Sequence, residues 1–186
     1  MRPKLTAILT GFLILGLTDG LFAYACPIDY SLESFSLVPH FFFIGMLVYL
    51  YNKDIPQRIG LGFALGVMYD VLFSGVFPFS SIAFPLCAYV AGFFPRWSNS
   101  PRLSPGFFVL FAFLIDFVPW FAIGIFAGHG SIISWLVHME LFTVLADFAV
   151  LYAIRYFADV MDRYFKILRI RQRQEDKRRM SAMHRQ

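Results

Sequence analysis

The sequence predicts an all-α integral membrane protein whose six transmembrane helices form one bundle. Of the 186 residues, 59% are hydrophobic and 24 are phenylalanine, and the mean hydropathy of +0.65 is far above that of a soluble domain. Several apolar runs approach the roughly 18 to 20 residues that cross a bilayer core of about 30 Å. Helices satisfy their own backbone hydrogen bonds in lipid, and the strict alternation of a transmembrane barrel is absent from these runs.

Six apolar runs define the predicted spans, and loops with proline, serine, asparagine or charged residues separate them. The spans are placed at residues 5–26, 36–51, 59–77, 79–95, 105–127 and 132–155. The second and fourth are short, so we expect them to tilt little or to lie partly at the membrane interface. The transmembrane bundle is therefore expected to occupy residues 1–156.

The positions of the 16 lysine and arginine residues predict that both termini are cytoplasmic. Two cations precede the first span, two follow the second, two follow the fourth, and the other ten run from Arg155 to Arg185. All of them therefore fall on one side, whereas the opposite loops carry only Asp29, Glu33 and His129 as potentially charged groups. The positive-inside rule assigns the basic side to the cytoplasm, which agrees with an even number of spans.

The N-terminal segment also has features of a cleaved secretion signal. Arg2 and Lys4 precede an apolar run that ends in AYAC, residues 23–26. However, Asp19 and Gly20 interrupt that run, and cleavage would leave an odd number of spans. We therefore interpret the segment as the first transmembrane span.

An internal repeat links the first and third spans. At an offset of 51 residues, GFLILGLTDGLFAYACP (Gly11–Pro27) matches GFALGVMYDVLFSGVFP (Gly62–Pro78) at glycine, phenylalanine, aspartate, leucine, phenylalanine and proline. Such a repeat indicates a duplicated helical hairpin. The two aspartates of the repeat are Asp19 and Asp70.

Carboxylates inside or near the ends of the spans are the main candidates for function. They are Asp19, Asp70, Asp116, Glu140 and Asp147. No lysine or arginine lies at membrane depth to pair with them, and an acid in lipid costs several kcal/mol, so such side chains usually face the bundle interior. Three interpretations stay open: packing between helices or with a partner, a path for an ion or substrate, and placement at the membrane interface.

Small residues one helical turn apart add a second set of candidates. Gly62 and Gly66 have this spacing on the third span, and Ala7 and Gly11 repeat it on the first. Such pairs let helix backbones approach closely. The predicted set for partner docking or helix packing is Asp19, Gly62, Gly66, Asp70, Asp116 and Asp147.

Signatures of catalysis are absent from the sequence. The four histidines and two cysteines lack the spacing of a metal site. We find no glycine-rich phosphate loop and no nucleophile elbow. The sequence therefore predicts a protein that is not an enzyme and that has no cofactor and no metal.

Residues 157–186 are predicted to form an amphipathic to disordered basic cytoplasmic tail. Apolar residues recur at helical spacing from Phe157 to Leu168, but beyond Arg169 the apolar period is lost. Such a tail can bind anionic lipid headgroups or a cytoplasmic partner, or it can serve only to fix the orientation of the last span. The net charge of +4 belongs with this membrane interpretation, and no nucleic-acid partner is expected.

The third span and its neighbours resemble the bacterial rod shape-determining protein MreD family. The resemblance rests on Gly62, Gly66 and Asp70 in the form Gly-x3-Gly-x3-Asp, followed by Gly75 and the span SSIAFPLCAYVAGFF. The TDG of residues 18–20 in the first span also fits. The likeness covers roughly residues 10–95.

The resemblance implies a non-enzymatic, multi-pass subunit of the cell-elongation machinery in the bacterial cytoplasmic membrane. Members work in peptidoglycan synthesis and cell shape with the bitopic protein MreC. The wider complex contains the RodA polymerase, a penicillin-binding transpeptidase and, where present, MreB. The resemblance also implies structural or docking roles for Gly62, Gly66 and Asp70.

The six-span pattern is also similar to the S components, the substrate-binding subunits, of energy-coupling-factor vitamin transporters. Those proteins dock a coupling subunit through small residues on the first span, where Ala7 and Gly11 would serve. An S component needs a polar pocket and an outer lid, whereas the predicted outer loops are short. A bound vitamin would favour this alternative.

Overall fold

The computed structural model of the chain describes residues 3–27, 35–51, 53–74, 78–93, 104–127 and 131–183, and over these residues it is all-helical. The all-α prediction is therefore confirmed for the described residues. Six helices follow one another: α1 (Pro3–Ala25), α2 (Phe41–Leu50), α3 (Ile55–Tyr69), α4 (Phe79–Ala91), α5 (Ser104–Ala127) and α6. The π-helical turn Asp70–Ser74 continues α3. Helix α6 consists of Ile132–Trp135, the π-helical turn Leu136–Glu140, and Leu141–Met183.

Several groups used in the topology prediction lie outside the described residues, and so does Gly75 of the family resemblance. Those of the topology prediction are Arg2, Asp29, Glu33, Arg96, Arg102, His129 and Arg185.

Two helical segments are long and apolar enough to cross a bilayer by length and composition. They are Leu5–Ala25, with a mean hydropathy of 1.8, and Ile132–Leu168, with a mean hydropathy of 1.6. Shorter apolar segments are Phe41–Leu50, Phe79–Ala91 and Gly106–Phe121. At 1.5 Å per residue, α2 is about 15 Å long, which is half of a bilayer core.

Helix α2 forms the centre of the bundle, since it contacts each of the other five helices. All its residues except Val48 and Tyr49 are buried. The ring of Phe42 is fully buried, and its centroid lies 5.2 Å from that of Phe12 and 5.0 Å from that of Tyr69. A helix that is apolar on all sides is suited to this central position, because no side of it needs water.

The second predicted span, residues 36–51, is helical over only part of its length. Residues 35–40 are not helical, and three of their backbone amides donate hydrogen bonds to α6 instead. Ser36 N donates to His138 O at 2.8 Å, and Val38 N donates to Thr143 Oγ1 at 3.1 Å. His40 N donates to Asp147 Oδ1 at 3.4 Å.

Geometry explains this pairing. The nine residues from 138 to 147 cover about 13 Å of helix axis, and the four residues from 36 to 40 match that length only when the chain is extended. Pro39 has no amide hydrogen and disfavours helix in the residue before it, so α2 begins only after His40.

Helix α6 continues to Met183, past the point at which the apolar period ends in the sequence. Near its middle, Phe157 is 65% exposed and Tyr164 is 55% exposed. This part of α6 therefore extends beyond the packed bundle.

Candidate functional site

Asp70 joins the end of α3 to the start of α4. Its side chain is 2% exposed, and Oδ1 accepts a hydrogen bond from Ser80 N at 2.9 Å. Oδ2 accepts from Ser81 N at 2.8 Å and from the Ser81 hydroxyl at 2.6 Å. Because first-turn amides have no partner inside their own helix and carry partial positive charge, a carboxylate stabilises them. Asp70 is thus an N-terminal cap of α4 supplied by the preceding helix.

Gly62 and Gly66 lie on the side of α3 that faces α4. A Cβ atom on Gly66 would lie 2.9 Å from the Cα atom of Ser81 and would collide with the Ser80 carbonyl oxygen. A Cβ atom on Gly62 would lie 3.1 Å from the Cα atom of Pro85. Both neighbours are backbone, which cannot move aside easily. The absence of side chains at these two positions therefore sets how closely α3 approaches α4.

Asp19 does for α2 what Asp70 does for α4. It is 3% exposed, and its Oδ1 and Oδ2 accept from Phe41 N at 3.0 Å and from Phe42 N at 2.9 Å. One turn earlier, Gly16 leaves room for the ring of Phe73, which a Cβ atom would meet within 2.8 Å at Cδ2. The two aspartates of the internal repeat thus have equivalent positions, and we name them the Asp19 clamp and the Asp70 clamp.

His40 lies beside the Asp19 clamp and contacts two further acids. The residue is 7% exposed, and its Nε2 lies 3.1 Å from Asp116 Oδ1. Its Nδ1 lies 3.7 Å from Asp147 Oδ2. The imidazole therefore bridges α5 and α6 at the point where α2 begins.

Glu140 is the fourth acid in this region. It is 1% exposed, and neither of its carboxylate oxygens has a hydrogen-bond partner among the described residues. Its electrostatic neighbours are Asp116, His40 and Asp147. Within the described ranges, Asp116 Oδ2 likewise has no hydrogen-bond partner. The buried acidic cluster, as we name it, consists of Asp19, His40, Asp116, Glu140 and Asp147.

No group of three or more histidine, cysteine, aspartate or glutamate side chains in the described part of the chain has an arrangement that could hold a metal ion.

Arg58 lies at the opposite end of α2. Its Nη2 atom donates a 2.7 Å hydrogen bond to the carbonyl oxygen of Tyr51, the residue that follows α2. Gly92 leaves room for the guanidinium, because a Cβ atom there would collide with it. Helix α2 therefore has a carboxylate at its positive end and a guanidinium at its negative end, the arrangement that the helix dipole favours.

The predicted set of site residues separates into two places. Gly62, Gly66 and Asp70 meet at the contact between α3 and α4, whereas Asp19, Asp116 and Asp147 surround His40. Glu140 was among the candidate carboxylates but not in the set for docking or packing, and His40 was not predicted as a site residue. One feature of the sequence could have identified His40. It lies inside a predicted span, and the other spans carry acids that have no lysine or arginine to pair with.

Comparison of the chain with protein-family models, with curated proteins and with solved structures finds no match.

Proposed function

We propose that this protein is a non-enzymatic membrane scaffold of the MreD type in the bacterial cytoplasmic membrane. It crosses the membrane six times with both termini in the cytoplasm, and it binds an MreC-like bitopic protein. Through that partner it joins a RodA-type polymerase, a penicillin-binding transpeptidase and MreB in peptidoglycan synthesis. The observation that carries the proposal is that Gly62, Gly66 and Asp70, the residues of the resemblance, act together at one helix contact.

The distribution of apolar side chains supports a membrane location. Leu17 and Leu21, one turn apart on α1, are 59% and 66% exposed, and lipid is the solvent that such a surface favours. Non-helical backbone at membrane depth is tolerated where protein groups satisfy it, and α6 supplies acceptors to residues 36–40.

The use of the buried carboxylates supports a scaffold. Both oxygens of Asp19 and of Asp70 accept backbone amides of this chain, so these two acids build helix contacts. The gap between Leu50, Arg58 and Ala91 has no room for a water molecule, so it is far smaller than a typical small-molecule site.

The exposed part of α6 supports a contact with anionic lipid. Tyr164 and Ile167 are more than half exposed, and Arg163 and Lys166 are exposed on the same stretch. A cation near an anionic membrane surface contributes about 1 kcal/mol.

The test is affinity purification of the tagged full chain from its native membrane, with mass spectrometry of the proteins, lipids and small molecules that remain bound. We expect enrichment of an MreC-like bitopic protein with the elongation enzymes, and retention of anionic lipid. Asp70→Leu is expected to lower partner recovery because it disrupts the α3–α4 contact, whereas Asp159→Asn, at an exposed site on α6, is expected to leave it unchanged.

Two outcomes would overturn the proposal. Enrichment of a vitamin together with ATPase and coupling subunits would identify the chain as an S component of a transporter. Absence of any bitopic partner from the wild-type preparation, with the chain itself recovered intact, would remove the scaffold function.

A further inference from the structure

We propose that the buried acidic cluster is a proton-binding site in which Glu140 and Asp116 share one proton. The inference does not depend on the scaffold function, because it concerns only groups of this chain. It rests on the burial of Glu140 and on three buried carboxyl oxygens, both of Glu140 and Oδ2 of Asp116, that have no hydrogen-bond partner among the described residues.

The first step is the balance of charge. The cluster contains four carboxyl groups and one histidine, so a fully ionised cluster would carry at least three uncompensated negative charges. Uncompensated charges are not tolerated in an apolar interior, and a buried acid without a partner takes up a proton instead. At least one carboxyl group is therefore neutral in the folded protein.

The second step identifies the group. Asp19 has two backbone amides as donors, Asp147 has the amide of His40, and Asp116 Oδ1 has the imidazole. Glu140 has no hydrogen-bond donor among the described residues, and it is 1% exposed. Glu140 is therefore the acid whose negative charge has the least support.

The third step places the proton. Asp116 is an electrostatic neighbour of Glu140, and its buried Oδ2 has no hydrogen-bond partner in the part of the chain that the structure describes. A protonated Glu140 donates its O–H to this oxygen, which satisfies one unpartnered atom on each side. Release to solvent leaves two carboxylates and one free proton, so the charge of the cluster changes by one.

The charged neighbours of Glu140 are His40 before α2, Asp116 on α5 and Asp147 on α6. Behind them lie Asp19 on α1, a neighbour of His40, and Tyr69 on α3, a neighbour of Asp116. His40 binds the other oxygen of Asp116 and lies at the start of α2. Gain or loss of the proton therefore changes the electrostatic environment of the helix at the centre of the bundle. Glu140 ends a π-helical turn, a distortion that is frequent at functional sites.

The test is infrared difference spectroscopy of the full chain in lipid bilayers as pH is raised. A protonated carboxyl group has a C=O stretch separate from the amide and carboxylate bands. We expect this band in the wild type at neutral pH, its loss at alkaline pH, and its loss at all pH values in Glu140→Gln. Asp159→Asn, at an exposed carboxylate, is the matched control and is expected to keep the band.

Asp116→Asn provides a second variant in case Glu140→Gln does not fold. It removes the acceptor carboxylate, so the band is expected to remain and to shift in frequency. Absence of the band from wild-type protein at neutral pH would overturn the proposal, as would an unchanged band in folded Glu140→Gln. Loss of the band on addition of Na⁺ or Ca²⁺ at constant pH would show that the cluster binds a cation, and this too would contradict a proton-only site.

Discussion

The Asp19 clamp and the Asp70 clamp use the same chemistry in different surroundings. Asp70 accepts from Ser80 and Ser81, which are 10 and 11 residues away in the chain. Asp19 accepts from Phe41 and Phe42, which are 22 and 23 residues away, and it has His40 and Asp147 as electrostatic neighbours.

This difference has a structural consequence. The Asp70 clamp is a local unit that joins two consecutive helices at a glycine contact. The Asp19 clamp belongs to the buried acidic cluster and so connects α1 and α2 with α5 and α6. The same motif therefore joins two consecutive helices in one copy and belongs to a cluster that connects four helices in the other.

The largest effect is expected from Asp70→Leu. The change removes the acceptor of two backbone amides and one hydroxyl, and each buried group left without a partner costs about 1 to 3 kcal/mol. We expect a total loss of about 3 kcal/mol or more, measured as a fall in the thermal unfolding midpoint of the purified protein in detergent. Asp70→Asn keeps one acceptor oxygen and should lose less, so equal losses for the two variants would contradict the capping role.

A matched glycine pair tests the close contact beside the Asp70 clamp. Gly66→Ala places a Cβ atom against the backbone of Ser80 and Ser81, and overpacking of this kind costs about 1 to 3 kcal/mol. Gly11→Ala meets no atom within 4 Å and should be neutral, or stabilising by about 0.5 to 1 kcal/mol through helix propensity. Thermal midpoints of both variants make the comparison. Similar midpoints would show that α3 and α4 do not need this close approach.

Double-mutant cycles with His40 test whether the Asp19 clamp, and not the Asp70 clamp, is coupled to the buried acidic cluster. We expect the losses from Asp19→Asn and His40→Gln to be non-additive by about 0.5 to 3 kcal/mol, since the two residues share the cluster. Asp70→Asn and His40→Gln are expected to add within about 0.5 kcal/mol. Unfolding midpoints of the single and double variants supply both numbers, and equal coupling energies for the two clamps would remove the distinction between them.

The smallest effect is expected at the other end of α2. Arg58→Ala removes one hydrogen bond to the Tyr51 carbonyl and should cost about 1 kcal/mol. Arg163→Ala, at an exposed site on α6, should change stability by less than about 0.5 kcal/mol. The same thermal measurement distinguishes them. A loss at Arg58 as large as that at Asp19 would show that both ends of α2 need their charged partners equally.

Much of the fold could be predicted from local pattern. Apolar runs of sufficient length predicted the all-helical fold, and each of the six predicted spans contains or overlaps one of the helices. The equivalence of Asp19 and Asp70 was visible as a sequence repeat. Each aspartate caps the helix that follows its own, and this role requires an aspartate at the same position of both helices. The second span was the exception. It is apolar enough to cross a bilayer, but its helix has only about half of the length that a crossing needs. Pro39 and the hydrogen-bond acceptors on α6 favour an extended backbone before α2.

The candidate site could be predicted only in part. Carboxylates in apolar spans are conspicuous, because each is costly in lipid unless something compensates it. Their grouping was not visible, since Asp19, His40, Asp116 and Asp147 are far apart in the chain. Among the described residues, Glu140 has no hydrogen-bond donor and Asp147 has one, and this difference depends on the register between α6 and residues 36–40.

The sequence by itself determined that this chain forms helices, the part of the chain in which each helix lies, and which acids fall inside apolar runs. These properties follow from composition and spacing, which act within a few turns of the chain. Only the tertiary structure decided which amide each aspartate caps, how closely α3 approaches α4, and that His40 and Glu140 join the three aspartates of the cluster. Those outcomes depend on contacts between segments that are distant in the chain. The other five helices meet at one place because they all pack around α2.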